Sequence, residues 1–331
     1  MIRSFWIKVT LSSALLLVSM LLLPHSDYVR YQSIKTGVYA KSKWLYERAS
    51  FDETPVNVAF FGTSHTLMAA KAPKLQANLE QELGKTIHIS NFAIPQLGRD
   101  MHYSLMKMLL SQKKPDLVIL EVRESEARDL HPGTHYLAPA VDLIQAPLFV
   151  NLRYIDNLYR LPGRNFKLSL VSLWPELFNY QGEFDPANYS GEHYASGNDM
   201  DRITQSDREK TKEWLDRARK RKGYSAPYKY NQVGSLKESV FFNANNSYFK
   251  DMIALLATHQ VDVKFFYLPD YNTTYPPLRD IYSQHAELIN LGYDFYARPE
   301  VWADLGHLNS KGTQVATEQL TQALVSYYNA N

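Results

Sequence analysis

Val56–Gly62, VNVAFFG, is a short apolar run, interrupted only by Asn57, that closes on glycine and then hydroxyl residues. It therefore predicts a strand covered on both faces, feeding a helix that runs to about Leu83. Ile87–Ala93 predicts a second strand, followed by a helix from about Arg99 to Gln112. Asp116–Arg123, DLVILEVR, predicts the third and is the most strongly patterned. Strands that alternate with helices pair in parallel through crossovers, so the expected fold class is α/β, a three-layer α/β/α domain with a central parallel sheet.

The rhythm stops between Glu124 and about Lys237, a stretch rich in Pro, Tyr, Trp and charge with helical pieces and no clean strand; it reads as a helical insertion. The pattern resumes with a helix near Ser239–Gln260 and a strand at Val261–Leu268. A helix around Pro277–Leu291, a short strand at Tyr293–Tyr296 and a final helix from about Ser310 to Tyr328 complete the reading. No internal repeat or low-complexity tract interrupts it.

Phe5–Leu23, FWIKVTLSSALLLVSMLLL, is broken by charge only at Lys8. As a helix it would extend about 28 Å at about 1.5 Å per residue, close to the hydrocarbon thickness of a bilayer. Arg3 and Lys8 precede or enter the span, which favours a cytoplasmic N-terminus and an exported remainder. The following Leu-Leu-Leu-Pro-His-Ser offers no small-x-small cleavage site, so an uncleaved signal anchor is expected over a cleaved signal peptide. The predicted location is the inner (cytoplasmic) membrane, single-pass, with the domain on the periplasmic side. Arg30, Lys35, Lys41, Lys43 and Arg48 also follow the span, which sets a second basic cluster against that orientation. Aromatic and basic residues from Asp27 to about Ser50 suggest a juxtamembrane helix. Residues 1–25 are thus read as anchor, 26–54 as the juxtamembrane helix and 55–331 as the catalytic domain, with the insertion at about 124–237.

Composition excludes several functions. In 331 residues, 36 Lys and Arg nearly balance 34 Asp and Glu, a net charge of +2 that provides no field for nucleic acid as the main partner. The chain has no Cys, which rules out a disulfide framework, a thiolate metal site and a Cys nucleophile. A hydrophobic content of 45% is enough for a full core.

Functional groups of open parallel sheets collect past the carboxyl ends of the strands. Gly62-Thr63-Ser64-His65 falls there after the first strand, with Ser64 at the start of a helix whose backbone N–H groups can face a developing oxyanion. Taken alone, Ser64 reads equally as a helix N-cap. Asp304-Leu-Gly-His307, just before the last helix, shifts that balance. Three-residue spacing in one loop lets His307 act as general base toward Ser64 while Asp304 holds its tautomer.

A nucleophile after strand one and Asp-x-x-His before the final helix resemble the SGNH, or GDSL-type, hydrolase superfamily, from Val56 to Tyr328 without the insertion. The motif here is Gly-Thr-Ser-His where the family carries Gly-Asp-Ser. The resemblance implies a flavodoxin-like sheet and a Ser64–His307–Asp304 triad. It also implies an oxyanion hole from the N–H groups of Ser64 and Gly98, the latter closing Asn91-Phe-Ala-Ile-Pro-Gln-Leu-Gly98. After strand three the family offers Gly-x-Asn-Asp, whereas this chain has Glu121-Val-Arg123, so Arg123 is the candidate replacement donor. Asn91, Glu121 and His65 are carried as candidate substrate contacts, His65 also reading as a plain capping-region residue. Anchor plus exported triad is similar in architecture to DltD, the D-alanine transfer protein of teichoic acid modification, and to periplasmic partners of membrane-bound O-acyltransferases.

The expected activity is therefore a serine esterase or acyltransferase that works through an acyl-enzyme on O-acyl groups of cell-envelope polysaccharide or lipid, without cofactor. The alternative is a non-catalytic docking subunit of an envelope acylation complex. Two minor features remain. His131 and His135 have ligand-like spacing, but Pro132 and Gly133 break the helix between them, and no metal is expected. Trp214–Lys222, WLDRARKRK, reads as the solvated end of a helix or as a site for phosphate-rich polymer or lipid headgroups.

Overall fold

The computed structural model describes residues 2–123, 129–148, 151, 153–194, 211–222, 240, 242–274, 282 and 284–331. It opens with α1 (Ile2–Leu22), of mean hydropathy 1.9 and without a buried residue over Ser4–Leu22, a helix long and apolar enough to cross a membrane. The expected single juxtamembrane helix is instead two, α2 (Asp27–Tyr31) and α3 (Ser42–Ser50), separated by a short 3₁₀ turn at Gly37–Tyr39. Nor is the segment a spacer. Trp44, Leu45 and Ala49 enter the main core, and the buried Arg48 donates to Ser90 Oγ at 3.0 Å and to the carbonyls of Thr54 and Pro55 at 2.7 and 2.6 Å.

Five strands, β1 (Val58–Phe61), β2 (Ile89–Asn91), β3 (Leu117–Val122), β4 (Asp262–Tyr267) and β5 (Leu288–Asn290), form an all-parallel sheet in the order β2-β1-β3-β4-β5. In β1 Phe60 lies opposite Asn91 of β2 and Ile119 of β3, so the strand is interior and all four of its residues are buried. The chain leaves β1 toward β2, then returns across β1 to β3. This reversal is the topological switch point, where open parallel sheets form a crevice beyond their carboxyl ends.

The helix expected after β1 is split into α4 (Ser64–Ala69) and α5 (Ala72–Leu83), because Pro73 favours the first turn of a new helix and cannot continue the old one. α6 (Arg99–Leu110) follows β2. The insertion contributes α7 (Thr134–Leu137), α8 (Ala140–Ile144), α9 (Tyr154–Leu173) and α10 (Lys212–Arg221), and carries no strand among its described residues. Much of the insertion, including Tyr224, Tyr228 and Tyr230, and part of the helix expected at Pro277–Leu291 lie outside the described residues. α11 (Asn243–His259) begins four residues later than the expected start at Ser239.

Two further expectations are reversed. Leu288–Asn290 is strand where helix was expected, and Tyr293–Tyr296 is the short helix α12 where strand was expected. Four residues hold too little periodicity to separate the two states. The tertiary structure chooses: Asn290 pairs with Tyr267 of β4, and Tyr296 Oη donates back to the Tyr267 carbonyl at 2.7 Å. The chain ends in α13 (Ser310–Ala330), which packs on α4 and α5.

Candidate active site

The turn after β1 places Ser64. Thr63, not Ser64, is the N-cap of α4: its hydroxyl accepts from the His65 N–H at 3.2 Å and donates to Glu121 Oε1 at 2.8 Å. The capping role is thereby filled by the neighbour. Glu121, at the end of β3, also accepts from the N–H groups of Thr63 at 2.7 Å and Thr66 at 3.1 Å and from the Thr66 hydroxyl at 2.6 Å. A β-carbon on Gly62 would lie 2.5 Å from Glu121 Oε2, so only glycine lets this carboxyl group seat beneath the turn. Glu121 is 1% exposed and is not among the residues lining the cleft. The sequence makes it a candidate substrate contact, and the structure places it beneath the α4 turn, bonded to Thr63 and Thr66. Glu121→Ala would strand two buried N–H donors and is expected to cost about 2–5 kcal/mol, read as a lower urea midpoint at unchanged slope.

The second half of the site is the loop before α13. Trp302 bridges Leu308, the Ala303 N–H donates to the His307 carbonyl at 2.8 Å, and Asn309 caps α13 by accepting from the Gly312 N–H at 3.0 Å. Within this tight loop Asp304 Oδ1 accepts from the N–H groups of Gly306 and His307 at 2.8 and 2.9 Å. His307 Nδ1 lies 2.8 Å from Asp304 Oδ2, and His307 Nε2 lies 2.8 Å from Ser64 Oγ, across 243 residues of chain. An Nδ1–H donated to Asp304 leaves the Nε2 lone pair for the serine hydroxyl. Burial pushes the Asp304 carboxyl up, but the hydrogen bond and charge of His307 and the two backbone donors outweigh it and hold it below the usual carboxylate range. It stays ionised beside the imidazole.

These groups open on a cavity of about 630 Å³ at the carboxyl edge of the sheet, lined also by His65, Gln96, Leu97, Arg123, Asp270, Trp214 and Lys222. Arg123 Nη2 is 3.1 Å from Asp270 Oδ1, and its Nη1 is 3.9 Å from Glu121 Oε1. His65 is buried; burial first, then the charges of Arg123 and His307, keep its imidazole well below the ordinary value. Its 3.7 Å approach to Asp270 therefore joins a neutral ring to a carboxyl group, with Nδ1 3.2 Å from the Leu268 carbonyl. His65 forms a wall of the cleft.

No protein-family model matches this chain, and no curated protein matches it in sequence.

Two other sequence candidates sit elsewhere. Asn91 is buried, its amide donating to the Ala70 carbonyl at 2.9 Å and the Thr66 carbonyl at 3.3 Å while its Oδ1 accepts from the Ala93 N–H at 3.0 Å. It clamps the end of α4 to β2 and is not among the cavity-lining residues. Gly98 caps α6 at φ +152°, and a β-carbon there would fall 2.4 Å from the His131 backbone nitrogen, so at this point Gln96 and Leu97, not Gly98, line the cleft. Gly98→Ala combines that overlap with a disfavoured φ and is expected to cost about 2–4 kcal/mol by urea denaturation. The ring nitrogens of His131 are both engaged, Nε2 with the Pro95 carbonyl at 2.7 Å and Nδ1 with the Gly133 N–H at 2.9 Å. Burial lowers its pKa to about 4.

Sequence reasoning missed Asp270, and it carried Trp214 and Arg221 only within the Trp214–Lys222 basic stretch, without placing them at this cleft. Asp270 lies just past the carboxyl end of β4, so the edge rule applied to that strand would have found it. Trp214 and Arg221 come from α10, whose Arg219 donates to the Tyr271 carbonyl and so seats the basic helix over the cleft. Arg217, Lys220 and Arg221 with Trp214 line an adjoining hollow of about 600 Å³.

Proposed function

We propose that this protein is a membrane-anchored serine esterase or O-acyltransferase of SGNH type. The observation that carries the reading is the continuous Ser64–His307–Asp304 hydrogen-bond chain, 2.8 Å at each link, opening on a cavity at the switch point of a parallel sheet. In the first half-reaction Ser64 Oγ attacks an ester or thioester carbonyl while His307 Nε2 takes its proton. Collapse of the tetrahedral adduct breaks the bond to the leaving oxygen or sulfur, which receives that proton. In the second half-reaction a glycan hydroxyl or water gives its proton to His307 and attacks the acyl-enzyme. Ser64 then leaves with the proton restored. The Ser64 N–H at the start of α4, the backbone of Gln96 and Leu97, and the guanidinium of Arg123 are the candidate oxyanion donors.

The helices pack in two sets, α4 and α5 with α13, and α3 and α11 with α6, which supports a three-layer α/β/α arrangement. The cationic rim supplied by α10 suits acyl carriers or acceptors that bear phosphate, and the apolar α1 suits a substrate at the cell envelope, with the domain outside the cytoplasm. A multi-span acyltransferase would be a natural acyl donor. The rival reading, a docking subunit, draws on the missing Asn after β3 and on Gly98 facing His131. A fluorophosphonate probe separates the two. Covalent labelling of the full-length protein that disappears in Ser64→Ala supports the enzyme, and an unlabelled native protein refutes it.

A further inference from the structure

α9 carries two apolar faces, and only one is used by the fold. At about 100° per residue, Leu161, Leu168 and Val171 fall on one side of the helix and are buried among α2, α7 and α8. On the other side Ile155, Tyr159, Phe166, Leu170 and Leu173 fall within an arc of about 60°. They are 68%, 85%, 48%, 38% and 67% exposed. The stripe continues past the helix end through Trp174 to Leu177, which is 78% exposed.

What borders this stripe identifies its occupant. On one flank lie the residues that hold α1: Asn165 Nδ2 donates to the Leu21 carbonyl at 2.9 Å, Ser169 Oγ donates to the Pro24 carbonyl at 2.6 Å, and Ser172 Oγ accepts from the Ser26 N–H at 2.9 Å. Leu158 joins Leu21 in one apolar cluster. The C-terminal half of the exposed stripe thus lies beside the point where the apolar span of α1 ends. On its other flank are Asp156, Arg160 and Lys167, all exposed, with Arg160 paired to Asp156 at 2.9 Å. An apolar arc edged by charge, with Tyr and Trp among its members, is the pattern of a helix lying at a membrane surface.

We infer that α9 is an interfacial helix whose Ile155–Leu173 stripe rests in the lipid of the same bilayer that α1 crosses. The domain is then held to the membrane at two elements rather than by a single flexible stalk. This fixes its orientation, and with it the height of the cleft above the lipid surface. The inference stands on α1 and α9 alone and is independent of the chemistry at Ser64.

The absence of native cysteine makes the test direct. Ile155→Cys, Phe166→Cys and Leu173→Cys variants of the full chain, each carrying one environment-sensitive fluorophore, are reconstituted in phosphatidylethanolamine–phosphatidylglycerol liposomes. Leu15→Cys reports insertion of α1, and Glu82→Cys, on α5, reports the water-exposed domain. All three stripe positions are expected to show blue-shifted emission, strong quenching by lipid-borne nitroxides and weak quenching by aqueous iodide. Iodide quenching equal to that at Glu82→Cys, with Leu15→Cys still lipid-quenched, overturns the inference. Stripe labels that are water-exposed in liposomes but shielded in native membrane vesicles overturn it too, and point to a protein partner instead.

Discussion

On the proposed reading, Ser64→Ala is expected to abolish fluorophosphonate labelling and to lower hydrolysis of a simple activated ester by on the order of 10⁶-fold, the scale of losing a triad serine. His307→Ala gives a comparable loss, because the two act as one unit and their effects do not add. The fold is expected to survive both changes: Thr63 and not Ser64 caps α4, and the α4 turn is held by Glu121. Retained thermal unfolding with lost labelling is therefore the expected pair of readouts. Labelling that persists in Ser64→Ala would place the nucleophile elsewhere.

Asp304→Asn is expected to give the second large effect, a loss of about 10⁴-fold in kcat. An amide at position 304 turns an N–H toward His307 Nδ1, so the imidazole keeps its proton on Nε2, the nitrogen that must accept from Ser64. Shape and loop geometry persist, since the amide oxygen still accepts from the N–H groups of Gly306 and His307. The pH dependence has a defined sign. The Asp304 carboxyl titrates below its ordinary value, so its contribution to stability is present above the unfolded-state pKa and is lost as pH falls through the lowered folded value. Wild-type protein should lose stability in strong acid more steeply than Asp304→Asn, measured by urea midpoints across the acid range; parallel curves would contradict the assigned shift.

The parallel sheet was legible because β1 and most of β3 are written as apolar runs, VAFF and LVIL, a pattern that burial on both faces imposes. The Asp304–His307 pair was legible because it is local: three residues in one loop bring both side chains together whatever the rest of the chain does. Short elements were not. Leu288–Asn290 and Tyr293–Tyr296 exchanged strand and helix because pairing with β4 and the Tyr296–Tyr267 hydrogen bond, not local pattern, decide them. That Glu121 and Asn91 lie off the cleft was not legible, for a related reason. A polar residue at a strand end looks the same whether it faces substrate or a neighbouring turn, and here each is used up by the backbone and hydroxyl groups around α4.

The amino-acid order by itself determined the apolar span of α1, the strand–helix alternation that forces parallel pairing, and a serine and an Asp-x-x-His loop destined for the same end of the sheet. Tertiary structure decided which hydroxyl caps α4, and hence that Ser64 Oγ faces His307. It also decided that Gly98 packs on His131, that α10 brings Trp214 and Arg221 to the cleft, and that α9 lies beside the end of α1. The division follows the range of the forces involved. Periodic burial and loop closure act over a few residues and leave a local record, whereas capping competition, steric exclusion and helix docking depend on partners brought together from distant parts of the chain.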